Sequence, residues 1–152
     1  MRVIGIDYGL KRTGVAIGET GADSAGMALP FEMFENLPDA QLAAAIAQLV
    51  RREGIETIVV GLPLNADGSV SQQSKLTERF ILTLQQHVVP GGGGAEGGGG
   101  GVPIHRVSEY LSSHGAEGKL AGHFTRLQKR QRVDALAAAQ ILQDWMDGQR
   151  PG

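Results

Sequence analysis

The chain has 152 residues, the size of one globular domain with a single core. Hydrophobic residues make up 41% and charged residues 20%, as in ordinary soluble folds, and the lack of cysteine excludes disulfides and thiolate metal sites. The net charge of -2 argues weakly against nucleic-acid binding. Residues 118–133 nevertheless carry basic side chains and no acid, which indicates either a phosphate-binding surface or a solvated helix face: Lys119, Arg126, Lys129, Arg130 and Arg132.

Strand and helix patterns alternate along the chain. In chain order they predict strands over 2–7, 13–18 and 26–34, a helix over 38–53, a strand over 56–62, a helix over 70–88, a strand over 102–107 and a helix over 125–146. Pro30 places the third strand at a sheet edge, and Gly54 is the expected C-cap of the first helix. This order predicts an α/β fold with a mixed sheet, three antiparallel strands followed by two parallel ones, in a single domain over 1–152.

The connections carry turn residues, and one has low complexity. Residues 63–69 predict a loop before the second helix, and a short helical piece is expected near Ser112. The glycine tract over 90–101 predicts a flexible surface loop within the domain. Residues 1–7 indicate a strand rather than a signal peptide, and no apolar stretch approaches the length of a membrane span. We therefore expect a cytoplasmic protein with no membrane partner.

Three acids occupy positions that surface charge explains poorly. Asp7 closes the first strand and Glu109 follows the strand over 102–107, so both should emerge at the carboxyl edge of the sheet if their strands are neighbours. Asp134 lies in line with Ala138, Ile141 and Trp145 on the face that the last helix should bury. Asp144 and Asp147 lie off this face and are expected to be solvated. A buried carboxylate costs several kcal/mol unless a cation or hydrogen-bond donors compensate it.

Each acid also has a structural interpretation. Asp7 could cap the following turn, Glu109 could pair with Arg106, and Asp134 could be a helix-start charge favoured by the dipole. If the three converge, they form a set of hard oxygen ligands that suits Mg²⁺ or Mn²⁺, and two such ions can hydrolyse a phosphodiester without a side-chain nucleophile. Three nearby polar residues are more consistent with a structural role than with a catalytic triad: Ser112, Ser113 and His114.

The segment over 9–14 has the glycine spacing of a phosphate-binding loop. Val15 and Ala16 stand where such a loop carries Lys and Ser or Thr, and a strand follows instead of a helix, so we reject that motif. The ATPases of the sugar-kinase and actin type also place a phosphate loop between two antiparallel strands. They enclose ATP between two domains, however, and this chain has room for one.

Three segments together resemble the YqgF family, also called RuvX, a Holliday junction resolvase family with an RNase H-like fold. They are residues 5–16 (GIDYGLKRTGVA), residues 60–69 (VGLPLNADGS), and residues 134–138 (DALAA) with 141–143 (ILQ). The resemblance implies an RNase H-like, five-stranded sheet flanked by helices. It also implies a metal-dependent endonuclease with Asp7, Glu109 and Asp134 as catalytic, metal-binding acids.

The resemblance further implies two substrates, because family members are associated with precursor 16S rRNA maturation and with cleavage of branched DNA. Lys11 and Arg12 match the family's basic turn and would meet a phosphate, and the segment from Asn65 to Ser69 matches a loop that could present backbone donors at a helix start. The run from Lys119 to Arg132 would grip the nucleic-acid backbone.

Two departures from the family pattern bear on this interpretation. Ser108 and Tyr110 replace an acid and an arginine that usually flank the second acid, and the glycine tract is not a family feature. An endonuclease therefore remains the leading hypothesis, and a non-catalytic nucleic-acid-binding module of the same fold is the alternative. A homodimer is expected only if the substrate is a four-way junction, which two symmetric sites would cut.

Overall fold

The computed structural model describes residues 1–21, 26–88, 101–110 and 126–148, with the side chains of Tyr110 and residues 126–135 excepted. The elements are β1 (Arg2–Asp7), β2 (Arg12–Glu19), β3 (Leu29–Glu35), α1 (Asp39–Glu53), β4 (Thr57–Leu64), α2 (Gln72–Val88), β5 (Ile104–Tyr110) and α3 (Arg126–Gly148). Every strand and long helix expected from the sequence is confirmed in type and order. Most of the glycine tract and the short helical piece expected near Ser112 lie outside the described residues.

The strands form one mixed sheet in the order β3-β2-β1-β4-β5. The first three are antiparallel, and β4 runs parallel to both β1 and β5. This is the predicted arrangement, with β3 and its Pro30 at the edge. Two strands, β4 and β5, extend further than predicted, because Pro63 still pairs with Glu109 and Leu64 with Tyr110. Glu109 therefore lies within a strand rather than after it.

Side chains alternate between two apolar layers on the two faces of the sheet. On one face, Ile6 and Val60 pack with residues of α1 and α2, including Ile46 and Phe80. The other face is covered by α3 and has its own core: Val3, Ala16, Val59, Ala138, Leu142 and Met146, among others. Both faces of the central strands are thus buried, which explains the continuous apolar runs that predict them.

Three glycines let α3 lie directly on the strands. A Cβ at Gly5 would stand 2.6 Å from the Leu142 Cβ and 3.0 Å from the Ala138 carbonyl oxygen. At Gly61 it would collide with the Ile141 side chain, and at Gly18 it would lie 3.0 Å from the Met146 sulfur. Ala138 lies at Gly5, whereas Met146 lies at Gly18, which pairs with Val3 near the start of β1. The helix therefore runs antiparallel to β1, and its first turns extend past the carboxyl end of that strand.

On the face of the sheet opposite α3, caps define the end of α1 and the start of α2. Gly54 ends α1 in the left-handed region (φ 67°), as predicted, and its N–H donates to the Val50 carbonyl. At the start of α2, the Ser71 Oγ accepts from the Ser74 N–H at 3.0 Å, and the Ser74 Oγ accepts from the Ser71 N–H at 3.0 Å. This reciprocal bonding fixes the first turn of α2 and explains why the helix starts at Gln72 rather than at residue 70.

Replacing Ser71 with alanine should lower the free energy of unfolding by about 1–2 kcal/mol, because the first turn loses its side-chain acceptor. The Ser71 hydroxyl also donates to the Pro63 carbonyl, which would be left without this donor. Urea unfolding measures the effect. Thr83→Ala is the matched control, since its hydroxyl makes only a 3.4 Å bond on the exposed part of the same helix. Equal stability of Ser71→Ala and the parent protein would contradict the assigned cap.

Within the described ranges, none of the helices has the length and apolar character needed to cross a membrane.

Candidate active site

The two described acids among the three predicted lie at the carboxyl edge of the parallel strands. Asp7 is the last residue of β1, and Glu109 is the penultimate residue of β5. Because β4 lies between β1 and β5, the two positions are two strand spacings apart, about 10 Å across the sheet. Although β1 and β5 are not direct neighbours, both acids reach the same edge, as expected.

Both acidic side chains also project from the face that α3 covers. Asp7 comes two residues after Gly5 on β1 and so lies on the same face, where a Cβ at Gly5 would meet Leu142. Glu109 comes four residues after His105 on β5 and shares its face, and the His105 ring lies against Trp145 of α3 with 5.4 Å between ring centroids. The edge and the helix thus form a corner in which the side chains of Asp7 and Glu109 share one side of the sheet.

The environment of Glu109 disfavours its ionised form. Burial, followed by the charge and hydrogen bond of Asp144, raises the pKa of Glu109 from 4.5 to about 6. The predicted alternative, a pair with Arg106, does not form, because the Arg106 Nε lies 2.9 Å from both carboxylate oxygens of Glu78. Glu109 therefore stands beside another acid.

Asp144 is the residue that the sequence analysis missed. It is exposed, as expected, and accepts a hydrogen bond from the Gln140 side chain at 2.9 Å, but it also contacts Glu109. No local pattern gave a signal for this contact, because it forms only when α3 packs against β5.

Removing the Asp144 charge should lower the pKa of Glu109 without restoring 4.5, since burial is the larger cause of the shift and remains. In metal-free protein, carboxyl NMR should give a Glu109 midpoint of about 6 in the parent and a lower one in Asp144→Asn. Because the folded pKa is raised, Glu109 destabilises the fold as pH rises from 4.5 through 6, and this penalty is fully present above 6. Asp147→Asn is the matched control, and identical midpoints in parent and Asp144→Asn would contradict the contact.

The third predicted acid, Asp134, belongs to α3 one turn before Ala138, which lies at Gly5. Its backbone therefore lies about 6 Å along the helix from Ala138, in the direction of the carboxyl end of β1. Its side chain lies outside the described residues, and the described side chains alone include no group of three metal-binding residues. The convergence of all three acids thus stays a prediction.

Part of the predicted basic run belongs to the same helix as Asp134. The first two turns of α3, which extend past this edge, contain Arg126, Lys129, Arg130 and Arg132, while Lys119 lies outside the described residues. The side chains of these five residues are not described, so their contact with phosphate also stays a prediction.

The turn between β1 and β2 is tightly held. The Gly9 N–H donates to the Thr13 hydroxyl at 3.3 Å, and that hydroxyl lies 3.3 Å from the Gly9 carbonyl oxygen. A Cβ at Gly9 would collide with the Arg12 carbonyl, so only glycine fits there. Lys11 is exposed at the tip, whereas Arg12 contacts Glu35 at 3.8 Å. Of the two predicted phosphate ligands, Lys11 is placed to meet solvent and Arg12 is already engaged by a carboxylate.

The loop from Asn65 to Val70 rises from the end of β4, between the strands that carry Asp7 and Glu109. All six residues are exposed. The Asn65 side-chain amide donates to the Ser69 hydroxyl at 3.0 Å, and Asp67 accepts from the Ser69 N–H and hydroxyl at 2.9 and 2.6 Å. Asn65 and Ser69, predicted to bind nucleic acid, therefore hold a preformed loop closed beside the two acids.

Solved structures identify the class of fold. The chain superimposes on Thermus thermophilus RuvC with a TM-score of 0.56 at 15% identity, covering 97% of this chain and 95% of that one. It also matches T. thermophilus RuvC in complex with a Holliday junction substrate, with a TM-score of 0.51 at 16% identity and coverage of 97% and 94%. The protein thus has the RNase H-like fold of the RuvC-type resolvases, as the sequence predicted.

Sequence comparison narrows this class to a family. The model of the RuvX family, described as Holliday junction resolvase, matches residues 1–148, and the chain belongs to this family. Among its relatives, a protein of Azotobacter vinelandii is 34% identical over 98% of this chain and 94% of its own length, and one of Moorella thermoacetica is 36% identical over 97% and 95%. Both are named as candidate pre-16S rRNA nucleases.

Proposed function

We propose that the protein is a divalent-metal-dependent endonuclease that hydrolyses phosphodiester bonds in structured nucleic acid. The observation that carries this proposal is the corner formed by the sheet edge and α3, where Asp7 and Glu109 share one face and Glu109 stands against a further carboxylate, Asp144. Membership of a resolvase family and relatives named as rRNA nucleases support the same chemistry.

The donor chemistry of this corner fits a hard divalent cation. Burial and a neighbouring carboxylate both raise the free energy of ionised Glu109, and a bound cation would remove that penalty. Asp7 and Glu109, with Asp134 from the start of α3, would hold Mg²⁺ or Mn²⁺ through oxygen ligands, and we propose two ions. Bound there, divalent metal would lower the pKa of an attacking water and stabilise the leaving oxygen.

The surrounding residues would place the substrate. Exposed Lys11 would meet a backbone phosphate beside Asp7, and the basic start of α3 would contact the phosphates that flank the cut bond. The closed loop from Asn65 to Ser69 would bound the site between β1 and β5.

We further propose a cytoplasmic location. We also propose a homodimer if the substrate is a four-way junction, and a strict monomer in sedimentation would argue against junction cleavage by paired sites.

The test is cleavage of a labelled four-way DNA junction and of a precursor 16S rRNA fragment, side by side, in Mn²⁺, Mg²⁺ and EDTA. We expect one or both substrates to be cut in either metal and neither in EDTA. Cleavage of only one substrate would distinguish branched DNA from precursor rRNA. Equal cleavage in EDTA would contradict the metal dependence.

A non-catalytic nucleic-acid-binding module is the second candidate, because Ser108 and Tyr110 stand where family members usually carry an acid and an arginine beside Glu109. The same assay separates the two functions. Binding of either substrate without cleavage in any metal would favour the binding module over the enzyme.

A further inference from the structure

Tyr8 follows the acid Asp7 directly and lies on the opposite side of the sheet. Its side chain is only 7% exposed and belongs to the core between the sheet and the α1–α2 layer. Because successive side chains alternate in a strand, Asp7 on the α3 face and Tyr8 on the α1–α2 face share one peptide unit. Whatever fixes Tyr8 also restricts the backbone of Asp7.

Tyr8 is fixed by both helices of its layer. Its hydroxyl donates to the Asp39 Oδ1 at 2.6 Å, at the first residue of α1. Its ring stacks on Phe80 of α2, with 4.6 Å between centroids and 13° between planes. Its main-chain carbonyl accepts from the Gln73 side chain, in the first turn of α2, at 3.4 Å. Side chain and main chain are thus held independently.

We propose that Tyr8 is a positioning residue that holds Asp7 in its working geometry through the bond to Asp39. This inference rests on the proposed function. Asp7 pairs with Gly14 and is the last residue of β1, so the chain leaves the strand at the peptide that joins Asp7 to Tyr8. A carboxylate that binds metal must stay within about 0.5 Å of its productive position, and the planar peptide transmits the anchoring of Tyr8 to it.

The test begins with Tyr8→Phe, which keeps the ring against Phe80 and removes only the hydroxyl. We expect kcat to fall about tenfold, with KM for the nucleic acid changed less than twofold, because the positioned group acts on the reacting phosphate and not on binding. Asp39→Ala should match Tyr8→Phe, and the double variant should be no worse than either. Asp39→Asn keeps an acceptor oxygen and should retain most of kcat.

Thr57→Ala is the control for a merely structural effect. Thr57 is buried at the amino end of β4, the end of the sheet away from Asp7. Its replacement should lower stability without changing kcat. An unchanged kcat in Tyr8→Phe, or a fall no greater than its loss of folded protein, would overturn the proposal.

Two readouts without substrate separate this inference from the proposed function. Tyr8→Phe should weaken Mn²⁺ binding severalfold in calorimetry and speed amide hydrogen exchange at Gly9. If the parent protein cuts nothing, the proposed function fails, yet these two changes would still support the positioning role. Unchanged Mn²⁺ affinity together with unchanged Gly9 exchange would overturn the positioning role whether or not the parent is active.

Discussion

Asp7→Asn should reduce phosphodiester cleavage by about 10³-fold, because loss of the proposed metal-binding carboxylate would remove several kcal/mol of transition-state stabilisation. The substitution is isosteric and lies at the edge of the sheet, so the fold should persist. Nucleic-acid affinity should also persist, since phosphate contacts come from basic groups rather than from this acid. Single-turnover cleavage and a binding titration, both with the same labelled substrate, measure the two quantities.

Glu56→Gln is the matched control for Asp7→Asn. Glu56 is exposed and directly precedes β4, at the amino end of the parallel strands and away from Asp7. Its neutralisation therefore changes the net charge equally and leaves the proposed site intact. It should cut at the parent rate. Comparable rates for Asp7→Asn and Glu56→Gln would remove Asp7 from the catalytic residues.

Gly5→Ala should destabilise the fold by about 3 kcal/mol and lower cleavage as well, because the added Cβ meets atoms that cannot rotate away. The Leu142 Cβ would lie 2.6 Å from it and the Ala138 carbonyl oxygen 3.0 Å. The relief available is a shift of α3 away from β1, which would also move the start of the helix and Asp134. Urea unfolding gives the stability, and cleavage by the remaining folded protein gives the rate.

Gly148→Ala provides the comparison, since a Cβ at this end of α3 meets nothing within 4 Å. It should leave both stability and cleavage unchanged. A Gly5→Ala protein as stable as Gly148→Ala would mean that α3 does not rest on the β1 backbone.

The fold could be predicted from the sequence where local pattern and burial agree. Apolar runs marked the central strands, Gly54 marked the end of α1, and Pro30 marked the edge strand. The strands β4 and β5 were predicted to end too early, because the last residues of each strand are extended only through pairing with the other strand. Pro63 and Glu109 pair although turn residues crowd the end of β4, and no local pattern reports a partner 46 positions away.

The acids of the proposed site could be singled out from the sequence, but their surroundings could not. A carboxylate at a strand end can be recognised in the sequence, and this is why Asp7 and Glu109 were proposed. Their surroundings come from distant segments, as with Asp144 beside Glu109 and Asp39 bonded to Tyr8 from 31 positions away. The bond between Arg12 and Glu35 was missed for the same reason, because it forms only when β3 pairs with β2.

The most direct test of the metal-dependent mechanism replaces a non-bridging oxygen of the scissile phosphate with sulfur in whichever substrate is cut. Sulfur is a poor ligand for Mg²⁺ and a better ligand for softer ions such as Mn²⁺. If a metal ion contacts this atom directly, the loss of cleavage rate on sulfur substitution should therefore depend on which ion is present. We predict that the substitution slows cleavage in Mg²⁺ and that Mn²⁺ restores much of the rate. An equal effect of sulfur in both metals would contradict a metal held by Asp7 and Glu109 against the reacting phosphate.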